Sequence, residues 1–573
     1  MVRTLSRCRL VLPAVGIAVV AAGAFTARTG VEAWTTQYMG VSHGVSSATG
    51  AAPDIGRSIA IAPDGSVYLA GFLQSDSIAL GNLNISTTEF REGFVAKFDA
   101  DGDPAWLRTY AASTGNTLTI NDIEVAPAGD LYLAGSFSGS VTFGSANLTS
   151  AGNVDGFIAR LDSSGAPISA IAVGGTASDY VADLAYGPAD TITAVGRIAG
   201  DSVAPSAITA PWPTSPVNDD GVILNVSMTL ATVNWTARAG GTGNDFLDDV
   251  DAADEGTIAV SGGADTTAPL SIVVQGSGTS HTIVTPNPGS SAAMVVASLG
   301  TSGGSASVNW SETIDGTGTE IADGVVIDDA GRVTVAGYGT GPFDVDGVSH
   351  TSGRNVDTDL IISQFTADGT PRWSQVIDSG NSRDEVRGMT LAPDGEILTI
   401  GRYGQPSNAK FLAMAHSPDG DLVWGPILLG DADNQIGQGV AVSPAGDVYL
   451  TGRFAGGPVD PTDPTKTITV NGSSDIVLFG FATQFPPSTT TAPSTTEATT
   501  STAAPTTTGA PTTTTTAPAT TTTIDSATTT TPVTTTTEVL ILPATGGDTT
   551  ASTVLLLLGA VGALLTLSAR RGA

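Results

Sequence analysis

A pattern of two short apolar segments joined by a tight turn recurs seven times along this chain of 573 residues. In each copy the second segment ends in glycine, and the copies lie at residues 58–71, 122–135, 183–196, 249–262, 324–337, 388–401 and 439–452. The closing glycines are about 50 to 75 residues apart, a spacing typical of repeat architectures in which each unit packs only against its neighbours. The sequence therefore predicts an all-β repeat fold.

Each copy has the composition of a β-hairpin. In the first copy, β-branched and aliphatic residues at 59–62 and 67–70 flank the turn Pro63, Asp64 and Gly65. Proline fixes φ, the aspartate side chain hydrogen-bonds its own backbone, and glycine adopts a positive φ. Both faces of the two strands, A and B, are apolar and rich in small residues. We therefore expect each sheet to be buried between two neighbouring sheets.

A second predicted hairpin follows most copies and supplies strands C and D. Tryptophan recurs on its last strand, at Trp106, Trp235, Trp310, Trp373 and Trp424. Four-stranded units at this spacing form the blades of β-propellers. The alternative all-β architectures are an array of β-sandwiches or two separate domains.

The two ends of the repeat array favour the propeller. After the seventh A–B hairpin there is one further strand, at 475–485, and residues 34–38 resemble the missing D strand. Pairing these segments in one sheet closes the ring and removes the free strand edges of an open array. We therefore predict a seven-bladed β-propeller at residues 34–485, with four-stranded blades and closure by the N-terminal strand.

The repeat resembles the bacterial seven-bladed β-propeller repeat family known as the SBBP type. The resemblance rests on the A–B hairpin, on segments 137–149 and 155–162, and on residues 241–245 before one A strand. The third and fourth copies depart from the pattern, with insertions at 205–217 and 265–288. The resemblance implies a propeller and no single activity.

The first 24 residues have the features of a secretory signal peptide. Arginines precede an apolar segment at 10–20, and small residues at 22–24 form a cleavage pattern, with a second candidate at 31–33. The alternative is a short N-terminal membrane anchor. The one cysteine, Cys8, lies in this segment. We therefore expect a secreted mature protein without disulfides.

Residues 486–537 consist almost entirely of threonine, proline, alanine and serine. Such a segment lacks the apolar residues needed for a core, so we predict a disordered stalk. Proline stiffens it towards an extended polyproline II conformation, which makes it a spacer. The composition also resembles glycosylated mucin-like stalks, and a plain disordered linker is the alternative.

The last segment, 538–573, resembles the LPxTG cell-wall sorting signal of Gram-positive-type bacteria. An apolar run at 554–567 and a basic tail follow a motif made of Leu542, Pro543, Ala544, Thr545 and Gly546. The resemblance implies that the run inserts transiently in the membrane while a sortase attacks the Thr545 carbonyl and links Thr545 to peptidoglycan. A simple C-terminal membrane anchor, ending in a transmembrane helix, is the alternative.

The charge balance bears on partners. The chain has 22 basic and 55 acidic residues, and its formal net charge is −33. This argues against nucleic acid and anionic membrane surfaces as partners. It permits divalent cations or basic ligands, and it also keeps a surface protein soluble.

An acidic or amide residue recurs four positions before the start of the copies, with Leu118 breaking the series: Asp54, Asp179, Asp245, Glu320, Asp384 and Gln435. These side chains could ring one channel mouth and bind calcium through oxygens. Alternatively, each could cap its own turn by accepting backbone N–H bonds. Recurrence in almost every blade favours the structural interpretation, because a functional site usually breaks symmetry.

Asp99, Asp101 and Asp103 resemble a short calcium-binding loop. The loop lacks the downstream bidentate glutamate of an EF-hand, and other copies carry ordinary hairpin turns at the same place. We therefore predict no metal site and keep these residues, with the recurrent acids, as weak calcium candidates.

No catalytic set can be assembled from the sequence, and the four histidines are scattered without metal-ligand spacing. We therefore expect a non-enzymatic, wall-anchored surface protein that displays its propeller for binding or adhesion to an unknown extracellular ligand. The alternatives are a wall-displayed, calcium-dependent hydrolase or lyase and a structural surface-coat component. Polar groups that differ between blades at one channel mouth would favour the enzyme, whereas uniform contacts to backbone would favour a scaffold.

Overall fold

The structure is a computed structural model. It describes residues 36–41 and 54–481, with gaps at 81–82, 101, 188–189, 200–217, 242, 254, 266–269, 275–279, 284–290, 303, 346–347, 352–357, 378–382, 405–408, 431–434, 459–466 and 469–474. All secondary-structure elements in this part of the chain are β-strands. It contains no helix long and apolar enough to cross a membrane. Outside it lie Asp101, the predicted signal peptide (1–24), the predicted stalk (486–537) and the predicted sorting segment (538–573), including 542–546 and 554–567.

Seven antiparallel sheets form the blades, each with four strands A to D, and in two of them a short hairpin extends the sheet to six strands. The innermost (A) strands of blades 1 to 7 are β2 (Ile55–Ile61), β8 (Leu118–Val125), β14 (Tyr180–Gly187), β18 (Asp245–Ala252), β24 (Glu320–Ile327), β30 (Glu385–Leu391) and β34 (Ile436–Val442). The B strands are β3 (Val67–Leu73), β9 (Leu131–Phe137), β15 (Thr191–Ala199), β19 (Thr257–Ala264), β25 (Val333–Thr340), β31 (Ile397–Tyr403) and β35 (Val448–Phe454).

The outer half of each blade is the second predicted hairpin. The C strands are β6 (Glu92–Phe98), β12 (Asp155–Leu161), β16 (Asp219–Ser227), β22 (Ala293–Ser302), β28 (Thr358–Phe365), β32 (Lys410–His416) and β38 (Asp475–Phe481). The outermost (D) strands are β7 (Pro104–Tyr110), β13 (Pro167–Val173), β17 (Val233–Gly240), β23 (Ser305–Gly316), β29 (Pro371–Ile377), β33 (Leu422–Leu429) and, in blade 7, β1 (Thr36–Val41).

The ring is closed by the N-terminal strand. In blade 7, β1 pairs antiparallel with β38, with Thr36 opposite Phe481 and Tyr38 opposite Phe479. Each A strand contacts the A strands of both neighbouring blades, and contact between β2 and β34 joins the first blade to the last. The predicted seven-bladed propeller and its closure are therefore confirmed.

Short hairpins between strands B and C decorate five blades within the described ranges. They are β4 (Ser77–Leu80) with β5 (Leu83–Ser86), β10 (Ser140–Phe143) with β11 (Ala146–Thr149), β20 (Leu270–Val274) with β21 (Ser280–Ile283), β26 (Pro342–Val345) with β27 (Val348–Thr351), and β36 (Gly457–Pro458) with β37 (Thr467–Ile468). The β20–β21 hairpin lies in the insertion of the fourth copy and pairs with β17 of the preceding blade. That insertion therefore extends a neighbouring sheet.

The hydrophobic core lies between the blades. Tyr68 and Val95 of blade 1 belong to the same buried cluster as Ile120, Leu133 and Phe157 of blade 2. Every residue of β3 is buried. The expectation that both sheet faces are covered is therefore confirmed.

Two of the recurring tryptophans join the outer strands of adjacent blades. Trp310 Nε1 donates to the Ala367 carbonyl at 3.0 Å, and Trp373 Nε1 donates to the Pro418 carbonyl at 3.2 Å. Each indole covers the glycine of a C–D turn in the next blade, where a Cβ on Gly369 would lie 2.8 Å from the Trp310 ring. Gly369 has a φ of +85°, so this turn also needs glycine for its backbone conformation.

Candidate functional site

The channel is lined by a β-bulge that recurs in every A strand. The pairing of strand A with strand B skips one residue in each blade. A bulge leaves the extra residue out of the ladder and bends the strand. These seven bulge residues all line a central cavity of about 900 Å³, and they are Arg57, Asn121, Ala182, Asp248, Asp323, Arg387 and Gln438.

The residue after each bulge divides the channel into two unlike halves. In chain order these residues are Ser58, Asp122, Asp183, Asp249, Gly324, Gly388 and Gly439. Three consecutive blades thus carry carboxyl groups, and the next three carry no side chain at this level. We call Asp122, Asp183 and Asp249 the carboxyl arc.

The carboxyl arc bridges neighbouring blades through the backbone. Asp122 accepts the Ser58 hydroxyl at 2.6 Å and the Leu184 N–H of the next blade at 3.2 Å. Asp183 accepts the Val250 N–H at 2.9 Å. Asp249 repeats the contact one blade further on, with the Val325 N–H at 2.5 Å. One oxygen of each carboxyl group therefore holds two inner strands together.

Burial, more than mutual repulsion, keeps the arc from being fully ionised at neutral pH. Burial raises the pKa of Asp122 to about 6 and that of Asp249 to about 7. Burial and then the charges of Asp122 and Asp249 raise the pKa of Asp183 well above its usual value. Burial, followed by the charges of Asp122 and Asp251, raises the pKa of Glu124 to about 8. The channel wall thus offers both carboxyl donors and carboxylate acceptors.

The glycine half of the channel has closely spaced inner strands. A Cβ on Gly439 would lie 2.9 Å from the Arg57 carbonyl oxygen, and one on Gly388 would lie 2.6 Å from the Gln438 carbonyl oxygen. Backbone approaches of this kind admit only glycine. The two halves therefore differ in both polarity and strand spacing.

Arginines face the same cavity from three blades. Arg387 forms ion pairs with Asp323 at 3.3 Å and with Glu385 at 2.6 Å, and Arg197 pairs with Asp219 at 3.1 Å. Burial would raise the pKa of Glu385, but the charges of Arg387 and Arg402 hold it below its usual value. These arginines are neutralised by the protein itself.

Arg57 differs from these arginines. It makes no ion pair with any described residue, and its buried Nε has no hydrogen-bond acceptor there. Its guanidinium lies 5.6 Å from the centre of the Phe72 ring, which Arg91 approaches to 4.6 Å. Burial, and then the charges of Arg387 and Arg91, lower the pKa of Arg57 to about 10. The channel thus holds a positive group that has no counter-ion among the described residues.

The recurrent acids before strand A are held by backbone N–H groups, and of these acids Asp179 also lines the cavity. Asp54 is fully buried and accepts the backbone N–H groups of Gln74 and Ser75 at 2.8 and 3.0 Å. A contact with an N–H group 20 residues further on recurs at Asp179 (2.7 Å), Asp245 (3.0 Å), Asp384 (2.8 Å) and Gln435 (3.4 Å). Each acid thus joins the start of its A strand to the end of its B strand, as the capping interpretation requires.

Two blades vary this contact. Glu320 is fully buried and accepts the Gly316 N–H at 3.0 Å, and burial followed by the charge of Asp315 raises its pKa to about 8. At the Leu118 position, the Ser138 N–H instead donates to the Thr117 carbonyl at 2.9 Å. Blade 2 therefore satisfies this N–H with backbone.

The candidate calcium loop forms a hairpin turn. The Asp103 N–H donates to Asp99 Oδ1 at 2.8 Å, and Gly102 has a φ of +86°. Asp162 makes the equivalent contact with the Ala166 N–H at 3.0 Å. Across the described ranges, no group of three or more His, Cys, Asp or Glu side chains is placed to hold a metal ion.

Sequence reasoning missed the bulge residues and the carboxyl arc. Each residue that follows a bulge is the first residue of a predicted copy, as Ser58, Asp122 and Asp183 illustrate. Positions that recur in every blade are the conspicuous ones in a repeat. The useful signal was the opposite one, a position next to strand A whose residue type changes from blade to blade.

Comparisons with known proteins return solved structures only. No family model matches the chain, and no curated protein matches it. The chain is similar to Sqt1 of Chaetomium thermophilum, with 11% identity, a TM-score of 0.36 and coverage of 78% of this chain and 97% of that one. It is also similar to the exotype rhamnogalacturonan lyase YesX, with 11% identity, a TM-score of 0.30 and coverage of 73% and 75%. Membership of the SBBP-type family stays a prediction.

Proposed function

We propose that this protein is a secreted, sortase-anchored cell-wall surface protein whose propeller is displayed to bind a ligand in its channel. The observation that carries the proposal is the cavity of about 900 Å³, whose charged lining differs from blade to blade. Pockets of this size accommodate small organic ligands. A purely structural ring has no need for such asymmetry, because its blades perform the same task.

Display at the cell surface is supported by the sequence on both sides of the propeller. Residues 1–24 have the features of a signal peptide, and the motif at 542–546 precedes an apolar run and a basic tail. In this proposal a sortase joins Thr545 to peptidoglycan while 554–567 is held transiently in the membrane. The segment 486–537 then acts as the spacer that carries the propeller away from the wall.

Replacing Thr545 with alanine tests the anchoring. We expect the T545A protein to accumulate in the membrane fraction and to be absent from purified cell wall, because the substitution keeps the backbone carbonyl but removes the threonine side chain that the sorting motif requires. Immunoblots of wall fractions boiled in detergent measure this, with Thr549→Ala as the matched control. Detergent-resistant T545A in purified wall would contradict the anchoring.

An enzyme is the second candidate, and the carboxyl arc favours it. Carboxyl groups whose pKa lies near neutral pH can exchange protons with a substrate. In this alternative the protein is a wall-displayed hydrolase or lyase that uses calcium. Turnover of a channel ligand by the purified protein, abolished by chelator, would favour the enzyme over the binding protein.

A structural surface-coat component is the third candidate. Its support is the backbone contact repeated at Asp54, Asp179, Asp245 and Asp384. That contact accounts for the stability of the ring and leaves the asymmetric channel unexplained. We therefore place ligand binding first.

A further inference from the structure

The bulge position of blade 1 carries a charge that its neighbours do not. Arg57 is flanked around the ring by Gln438 of blade 7 and Asn121 of blade 2. The other arginine at a bulge, Arg387, is held by Asp323 and Glu385. The fold therefore accepts an uncharged side chain at this position, and the positive charge of Arg57 is an addition to it.

The charges near Arg57 repel it. Its pKa is lowered by burial and by Arg387 and Arg91, and no carboxylate of the described chain pairs with it. The chain has 55 acidic residues against 22 basic ones, so counter-ions are plentiful elsewhere. Asp122, the carboxyl of the arc in the adjacent blade, is engaged by Ser58 and Leu184.

An unpaired cation that is partly desolvated is costly unless an anion joins it. The planar guanidinium is also well suited to bind the oxygens of a carboxylate, phosphate or sulfate. Arg57 borders a cavity of about 900 Å³, which leaves room for the rest of a small molecule.

We propose that Arg57 binds the anionic group of a small organic acid held in the propeller channel. The guanidinium of Arg57 lies over the Phe72 ring, and the guanidinium of Arg91 lies over the same ring. The remaining polar groups of the ligand face the carboxyl arc, which offers donors and acceptors. This assignment rests on the proposed function, since it names the ligand class of the displayed propeller.

Calorimetric titration of the full-length protein tests the proposal. The probes are sodium phosphate, sodium sulfate and sodium D-glucuronate at low ionic strength, with D-glucose as the uncharged counterpart of glucuronate. We expect at least one anion to bind, glucose not to bind, and Arg57→Gln to weaken the binding at least tenfold. The preferred probe then distinguishes an inorganic anion from a sugar acid.

Two variants serve as controls. Arg57→Lys keeps the charge and should retain part of the affinity. Arg332 does not line the cavity and pairs with Asp328 at 2.5 Å. The Arg332→Gln variant should therefore bind the anions as the wild type does. In the absence of anions, Arg57→Gln should melt at the same temperature as the wild type or higher, because it removes an uncompensated charge.

The proposal is overturned if none of the three anions binds, or if Arg57→Gln binds them as tightly as the wild type does. It is also overturned if Arg332→Gln loses as much affinity as Arg57→Gln, since the effect would then be one of net charge. Wall anchoring through Thr545 is measured separately in cell fractions. A failure of anion binding therefore leaves the anchoring result standing, and the reverse also holds.

Discussion

At the scale of single residues, His416 stands out because it holds an apolar position. It is fully buried, and neither ring nitrogen has a hydrogen-bond partner in the described chain. In other blades the residues at the equivalent position, each paired with the residue four before the closing glycine of its copy, are Phe98, Leu161, Val226, Leu299 and Phe365. Burial lowers the pKa of His416 to about 4. The neutral imidazole thus occupies a site shaped for a hydrocarbon.

We predict that His416→Phe stabilises the protein. The substitution removes buried polar atoms without partners, a change worth roughly 1–3 kcal/mol in the free energy of unfolding. Urea denaturation at pH 7 measures the gain. The control is His281→Phe, since His281 Nε2 lies 2.9 Å from Ser311 Oγ and the substitution breaks that contact.

The gain from His416→Phe should depend on pH. A histidine whose pKa falls from 6.5 unfolded to about 4 folded favours unfolding as the pH drops through that interval. The difference between variant and wild type should therefore grow from pH 7 to pH 4. A difference that is constant across this range, or a variant less stable than the wild type, would show that His416 has a partner in solution.

At the scale of elements, ring closure depends on one short strand. Without β1, strand β38 would lose one partner and become an exposed edge of blade 7. Each blade packs against both of its neighbours. We therefore expect the loss of one strand to destabilise the whole ring.

We predict that deleting residues 34–40 lowers the melting temperature of the whole propeller and promotes association through the exposed edge. Calorimetry and size-exclusion chromatography measure the two effects. An equally long deletion within the insertion at 205–217 is the control, and we expect it to be milder. A deletion protein that melts like the wild type and stays monomeric would mean that β1 does not close the ring.

The strands could be predicted from sequence because their signals are local and repeated. Pro63, Asp64 and Gly65 define a turn by themselves, and tryptophans mark the outer strands of five blades. The B–C hairpins were less visible. Strand β20 pairs with a neighbouring blade, and such a partner cannot be read from the residues of the hairpin alone.

At the scale of the whole molecule, the channel combines residues that are far apart in sequence. Asp122 contacts Ser58, which lies 64 residues earlier, and Asp249 contacts Val325, which lies 76 residues later. These residues occupy aligned positions in the repeats. They lie near one another only because ring closure brings the seven A strands around one axis. The repeats therefore predict the fold, and the departures from the repeat define the candidate site.

This division of roles can be tested by denaturant unfolding of two variants, with and without the anion that binds best. Asp245 is an acid that recurs, and it accepts the Gly241 and Asp265 N–H groups at 2.7 and 3.0 Å. We predict that Asp245→Ala costs about 0.5–2 kcal/mol of unfolding free energy, as other lost caps do, and keeps the stabilisation by the anion. Arg57→Gln should keep the unfolding free energy and lose the stabilisation. The account is contradicted if Asp245→Ala abolishes the anion effect, or if calcium stabilises the wild type and not Asp245→Ala.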